Sequence, residues 1–408
     1  MDAAGEVDEF RTARPIAGWR VVAVAFWMAL FAWALGFYSL SLYVYHLSDS
    51  GGWPVALLSA ATTGYFLLGA LAIPAVERLA ARHGRRRVAI AGTVLFSGAV
   101  AALPQVPHAA VLVALYAAMA LGWAATSGTA VSAVIGAWFE RRRGLALNIA
   151  LTGASASGFV AVSAIAASVS ALGPSAGLAL SAAVLGTITV VAIATNLPEP
   201  DRRAAPAAAP GAGAAPAGAA GERARLARIV ALFSIGWLAQ VAFLSQQVPL
   251  LVSKVGLAQA TAAVGLTTAA SLAGRLALSI VMDRIDHRLA TAGSYAVQAL
   301  GMALLLATDA PAAVLAGCVL FGLSVGNLIT LPAIFAQREF PAARYGEVVA
   351  RIWSIGQLTF AFGPMAAGAL LAAAGGPAPT IAACLACQLA GAVLCAGGRG
   401  RRAEAPQP

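Results

Sequence analysis

Charge is what this 408-residue sequence has least of: Asp, Glu, Lys and Arg together make up 10% of it, against roughly 25% in an ordinary soluble domain. A chain so poor in charge cannot give most of its surface to water. Cysteine is scarce too. Cys318, Cys384, Cys387 and Cys395 all lie inside apolar stretches, where a thiol behaves as a small hydrophobe and no disulfide framework follows. Cys384 and Cys387 are spaced to share a helix face, but no histidine or second cysteine pair accompanies them, so neither a metal nor any other cofactor is expected. The first twenty residues carry Asp2, Glu6, Asp8 and Glu9 without a short apolar core, so a cleavable signal peptide is not expected. No nucleophile, base and orienting group come together along the apolar stretches, which argues against an enzyme.

What is present is apolar: 60% of the residues are hydrophobic and the mean hydropathy is +0.83. A bilayer core about 30 Å thick needs roughly 20 apolar residues per helix. Apolar runs bounded by charge predict spans near 21–45, 54–76, 88–106, 109–138, 145–170 and 175–196, then 228–252, 258–282, 289–307, 311–336, 347–374 and 378–397. Between the sixth and seventh spans lies a stretch rich in Ala, Pro and Gly with too little large apolar surface to pack, read as a flexible linker. The expected organisation is a tail over 1–20, a six-helix half over 21–196, a linker over 197–227, a second six-helix half over 228–397 and a tail over 398–408.

The net charge of +10 does not point to nucleic acid, because such binding needs basic residues gathered on a folded soluble face. Here the arginines fall in short loops, alternating along the chain. Arg78, Arg82 and Arg85 to Arg87 follow the second span, Arg141 to Arg143 the fourth, and Arg202, Arg203, Arg223, Arg225 and Arg228 border the linker. Arg284 and Arg288 follow the eighth span, Arg338 and Arg344 the tenth, and Arg399, Arg401 and Arg402 close the sequence, while the opposite loops hold only Lys254. Basic residues accumulate on the cytoplasmic side, so both termini and the linker are expected there, in a bacterial inner membrane. Arg82 and Arg284 stand 202 positions apart, as do Gly144 and Gly346. A shared offset of about half the chain indicates a tandem repeat, an arrangement that places a substrate site near the midplane between the two copies.

Three stretches carry a family resemblance: WFERRRGLALNIALTGASASG (Trp138 to Gly158), SLAGRLALSIVMDR (Ser271 to Arg284) and RYGEVVARIWSIGQLTFAFGPMAAG (Arg344 to Gly368). With them the sequence resembles the major facilitator superfamily over nearly its whole length, and within it the branch of monocarboxylate transporters and oxalate/formate antiporters. The resemblance implies an all-α membrane protein of twelve transmembrane helices in two pseudo-symmetric halves. It also implies a cytoplasmic charge network, which maps here to Glu77, Arg82, Arg85, Arg86, Arg142, Asp283, Arg284 and Arg344. The loop signature is altered: Ala81 stands at its aspartate and Glu77 at its leading glycine, so Glu77 is expected to supply the missing negative charge.

Arg275 is the most informative side chain. It lies eight residues before Asp283, roughly 12 Å inside the cytoplasmic end of its helix. A central arginine costs about 2.5–3.5 kcal/mol on insertion scales and normally faces a cavity or a partner. No span holds an acid away from its ends, and an unpaired guanidinium attracts a carboxylate, to which it can offer two parallel hydrogen bonds. The family resemblance implies the same role for an arginine at this place. Two departures from that branch stand out: Ser271 replaces an aspartate used in proton coupling, and Ile355 with its neighbours and Ser39 stand where lysines occur. With one cation left, a monoanion is the expected substrate. Tyr38, Ser39, Asn148, Ser271, Asn327 and Gln357 complete the expected substrate-binding set. The four histidines, His46, His83, His108 and His287, are read as surface residues.

The sequence therefore predicts a secondary transporter, working as a monomer, for a small organic anion, with a proton co-transported or another anion exchanged. The alternative is a drug or amphiphile efflux antiporter. That reading is weakened because the first span has no acid and the fifth has Gly158-Phe159 in place of a Gly-Pro pair.

Overall fold

The computed structural model describes residues 15–139, 143–197, 220–282, 284–341 and 344–396. Among these the chain is helical with no strand, as lipid requires, since a helix pairs every backbone N–H and C=O within its own segment. Eleven helical stretches are long and apolar enough to cross a membrane, and the longest, Ile149–Asn196, runs 48 residues. It is two spans. At Gly173 the backbone takes φ 81° and ψ 165°, a left-handed conformation open to glycine at little cost, and Pro174 follows. Beyond it the chain doubles back, so that Ser168 Oγ lies 2.7 Å from Ser181 Oγ and donates to Gly177 O at 3.1 Å. Gly256, with φ 78° and ψ 165°, divides the seventh span from the eighth in the same way.

Twelve spans result. In the N-terminal half, α1 joins Pro15–Trp33, a π-helical turn Ala34–Tyr38 and Leu40–Asp49; α2 is Val55–His83 and α3 Arg85–Ala102; α4 joins Ala109–Thr126 to Gly128–Trp138; α5 runs from Arg143 through a π-helical turn Ser157–Ala161 to 172, and α6 covers 174–196. In the C-terminal half, α7 joins Ala220–Ser245 to 247–255; α8 covers 257–281, α9 His287–Ala307 and α10 Pro311–Glu339; α11 joins Tyr345–Phe360 to Gly363–Ala374, and α12 is Ala378–Ala396. Gly173 and Gly375, both with positive φ, stand at the repeat spacing of 202.

Small residues set the crossings, because helices without a hydrophobic drive between them associate through close backbone approach. A Cβ on Gly153 of α5 would strike Phe26 O of α1, and one on Gly356 of α11 would strike the Trp237 ring of α7. The same pair of helices, first with fifth, thus comes close in each half. The π-helical turn of α1 leaves carbonyls without their usual partners. Two buried tyrosines take them up: Tyr43 Oη donates to Leu35 O at 3.0 Å and Tyr65 Oη to Gly36 O at 2.8 Å.

Candidate functional site

The halves meet along α2 with α11 and α5 with α8. Gln246 Nε2 donates to Ser59 Oγ at 2.8 Å, and Met365 N, freed by the break before Gly363, donates to Thr63 Oγ1 at 3.2 Å. The rings of Phe66 and Phe360 sit 5.7 Å apart, and a Cβ on Gly158 would run into the Thr268 side chain. All four bridges lie at mid-membrane or nearer the end marked by the α1–α2 hairpin. At the opposite, arginine-rich end, the ion pairs seen among the described residues join Glu77 with Arg85, Glu339 with Arg288 and His287, and Glu222 with Arg344, each within one half. Correspondingly, α2 packs far more closely against Gly363–Ala374 than against Tyr345–Phe360. The described contacts between α2 and α11 therefore thin toward the arginine-rich end, where a gap between the halves can open.

Arg275 lies on α8 beyond these bridges, toward the arginine-rich end. It is seven residues, about two helical turns, past Thr268 on the same face of α8, displaced toward the arginine-rich end. The exposed residues Ala273, Ala277 and Ile280 mark the other, lipid-facing side of the helix. The guanidinium leans on α10, where the absence of a side chain at Gly326 makes room: a Cβ there would stand 3.0 Å from Arg275 Nε and 2.9 Å from Ser271 Oγ. Neither Nε nor Ser271 Oγ has a hydrogen-bond partner among the described residues, and no described carboxylate pairs with Arg275. Tyr38, at the end of the α1 π-helical turn, is a titratable group within its electrostatic reach among the described residues, and it packs into the apolar cluster of the C-terminal half.

The other expected residues divide. Gln357 shares a face of α11 with Ala361 and Gly368, the latter against Ser59 of α2, so it points toward the N-terminal half. Asn327 turns away from Arg275, donating to Ser294 Oγ of α9 at 3.4 Å, inside the C-terminal half. Ser39 is fully buried at the break in α1. Asn148 lies on α5 with its side chain outside the described set, and Arg142 and Asp283 lie outside the described residues altogether.

Sequence reasoning passed over Trp353. It stands seven residues before Phe360 on the same face of α11, so it faces the gap where Phe360 faces Phe66. Its ring stacks on Trp237 at 4.6 Å and 26°, and Trp237 Nε1 is tied to Leu328 O of α10 at 3.2 Å. The heptad spacing to Phe360 was readable; which face of α11 met the other half was not.

Of the residues expected in the charge network, Glu77 accepts through both carboxylate oxygens from Arg85 at 3.1 and 2.9 Å. Arg86 donates to Ala194 O of α6, Arg344 meets Glu222 at 2.5 Å, and Arg82 and Arg284 are exposed. His287 is a correction. It is buried rather than at the surface, with Nε2 2.9 Å from Glu339 Oε1. Glu339, whose side chain is 0% exposed, also accepts from Arg288 Nε at 2.9 Å and Nη2 at 2.8 Å, closing α9 onto the end of α10. Asp286 caps α9 by accepting from Arg288 N and Leu289 N. Against slight burial, which raises it, these amides hold the Asp286 carboxyl below its ordinary value.

Removing one partner of a buried pair leaves an uncompensated charge and costs about 3–5 kcal/mol. Glu339→Ala is therefore expected to lower the melting temperature in detergent by several degrees, and Glu77→Ala, whose pair is half-exposed, by much less. Equal shifts in a fluorescence melting series would contradict this.

A sequence profile of the Major Facilitator Superfamily matches residues 22–364. Among solved structures, the nucleoside transporter NupG superposes with a TM-score of 0.71 at 13% identity, covering 94% of this chain and 98% of that one. A point mutant of NupG gives 0.70 at 14% identity, with 92% and 98% covered. A bacterial homologue of the human lysosomal transporter Spinster, solved inward-facing and unoccupied, gives 0.64 at 12% identity, with 94% and 97% covered. A search of curated proteins finds no match.

Proposed function

The chain belongs to the Major Facilitator Superfamily of transporters, and from that premise we propose that it carries a small organic anion, a monocarboxylate, by alternating access, with Arg275 as the carboxylate anchor. The observation that carries the reading is a guanidinium inside a membrane-spanning helix whose buried Nε has no partner among the described residues. A cation placed there at a cost of about 2.5–3.5 kcal/mol is compensated when an anion arrives. The carboxylate would take two parallel hydrogen bonds from the guanidinium, Tyr38 would close the site from the first half, and Gln357 would serve a second polar group. By the positive-inside rule the arginine-rich end is cytoplasmic in an inner membrane. The gap would then open inward, while the Ser59–Gln246 and Thr63–Met365 bonds shut the outer side and part when the halves rock.

Saturable uptake of a carboxylate panel into proteoliposomes, lost in Arg275→Ala, tests the proposal. Amphiphilic cations moved equally well by wild type and by Arg275→Ala would instead establish an efflux carrier.

A further inference from the structure

We propose that the outer face of the N-terminal half carries a site for one anionic phospholipid, with an acyl chain in the furrow between α3 and α6 and the phosphate on Arg87. The site is separate from Arg275 and goes beyond the anion-carrier reading.

The furrow is a cavity of about 420 Å3 whose lining comes from α3 and α6 alone. Gly98 and Ala101 of α3 and Ala179, Ala183 and Gly186 of α6 line it, and such small residues leave depth between two helices. At its floor the helices touch, since a Cβ on Gly186 would stand 2.3 Å from Ser97 Oγ. Its rim is apolar and turned outward, with Val94 58% and Val191 53% exposed, a surface that meets hydrocarbon in a membrane-spanning chain. Two touching helices leave a V too narrow for a third, which is about 10–12 Å across, and wide enough for a methylene chain. Left unfilled, the V would forfeit dispersion contacts along both walls.

A cation stands at the end of the same stripe. Arg87 lies seven residues before Val94 and eleven before Gly98, so the three share one face of α3, with Arg87 about 10 Å nearer the arginine-rich end than Val94. Of the three arginines that open α3, Arg85 pairs with Glu77 and Arg86 donates to Ala194 O of α6. Arg87 is exposed and pairs with no carboxylate among the described residues. A guanidinium offers a phosphate two parallel hydrogen bonds, and basic residues at the membrane surface attract anionic lipid.

The C-terminal half shows that neither feature is demanded by the fold. At the repeat spacing of 202, Leu289 stands for Arg87, Leu300 for Gly98, Leu385 for Ala183 and Leu389 for Thr187. The counterpart helices α9 and α12 thus bear leucines where α3 and α6 leave a furrow, and a leucine where α3 places its cation. Small residues and charge are exchanged together, as one ligand with an apolar chain and an anionic head requires.

The test titrates the purified full chain, in neutral detergent, with phosphatidylglycerol or phosphatidylcholine of identical acyl chains, read by native mass spectrometry. The first phosphatidylglycerol is expected to bind at least about five-fold more tightly than the first phosphatidylcholine. Arg87→Gln is expected to bring that ratio to about one. Gly98→Leu has room, with nothing within 4 Å of a Cβ there, and by filling the furrow is expected to weaken the first binding step of both lipids by about three-fold or more. Equal first steps for the two lipids in wild type would mean an annular shell only, and a first step unchanged in either variant would place the lipid elsewhere. A dimer dispersed by Gly98→Leu would assign the furrow to a second copy of the chain. Arg275→Ala is expected to leave both affinities as in wild type, so this site and the carboxylate anchor fail separately.

Discussion

Arg275→Ala is expected to reduce carboxylate uptake by at least about 30-fold without loosening the fold. Truncating one partner of a buried, hydrogen-bonded charge pair costs about 2–5 kcal/mol, and each 1.4 kcal/mol is a factor of ten. Arg275→Lys keeps the charge but gives up the planar fork that meets both carboxylate oxygens, so it should fall between, about ten-fold below wild type. The stability readout should move the other way. In the ligand-free protein Arg275 Nε is buried without a partner among the described residues, and an unmade hydrogen bond of a buried group costs about 1–3 kcal/mol. The alanine variant should therefore melt no lower than wild type, as residues kept for function rather than stability often behave. A variant that loses uptake and melts well below wild type would make Arg275 a structural residue.

The second large effect concerns the empty carrier. To reset without substrate, the protein would have to pass through an occluded state with a bare guanidinium sealed from water, whereas the loaded carrier passes through it as a neutral pair. Taking a charge out of water without a counterion costs several kcal/mol, so loaded and empty transitions should differ by about 100-fold or more. Exchange should accordingly dominate. Proteoliposomes preloaded with a carboxylate are expected to take up labelled carboxylate about 100-fold faster than empty ones. With Ser271 one turn from Arg275 and no described acid at mid-span, a pH gradient should not substitute for the internal anion. Empty vesicles filling at the exchange rate, or filling only under an inward proton gradient, would reject this.

The helices were legible because the bilayer imposes a length on them. Apolar runs cut by arginines mark the spans to within about eight residues, and even the reversal at Gly173 and Pro174 shows as a gap between 170 and 175. The same physics made Arg275 conspicuous, since a charge inside an apolar run has few innocent explanations. What stayed hidden was whatever depends on two helices meeting. His287 reads as a loop residue until α9 and α10 bring it beside Glu339, 52 positions away, and no local pattern announces that contact. Asn327 looks equivalent to Gln357 in sequence, yet one turns to Ser294 and the other toward the opposite half, a difference of rotation about a helix axis. Trp353 went unnoticed because tryptophan in an apolar run looks like any packing residue. The π-helical turns leave no trace in composition, since the same residues would serve an α-helix.

The turn at Ala34–Tyr38 has one more consequence. A widened turn holds one residue more than an α-helical turn would, so it acts as a phase shift built into α1: everything before it is rotated by about 100° relative to everything after it. Deleting a single residue there would conserve composition, hydropathy and span length, and would still swing Tyr38 off the line to Arg275 or unseat Leu35 and Gly36 from their tyrosines. Among otherwise similar chains, the count of residues across this turn would thus sort those that can bring the first helix to the guanidinium from those that cannot.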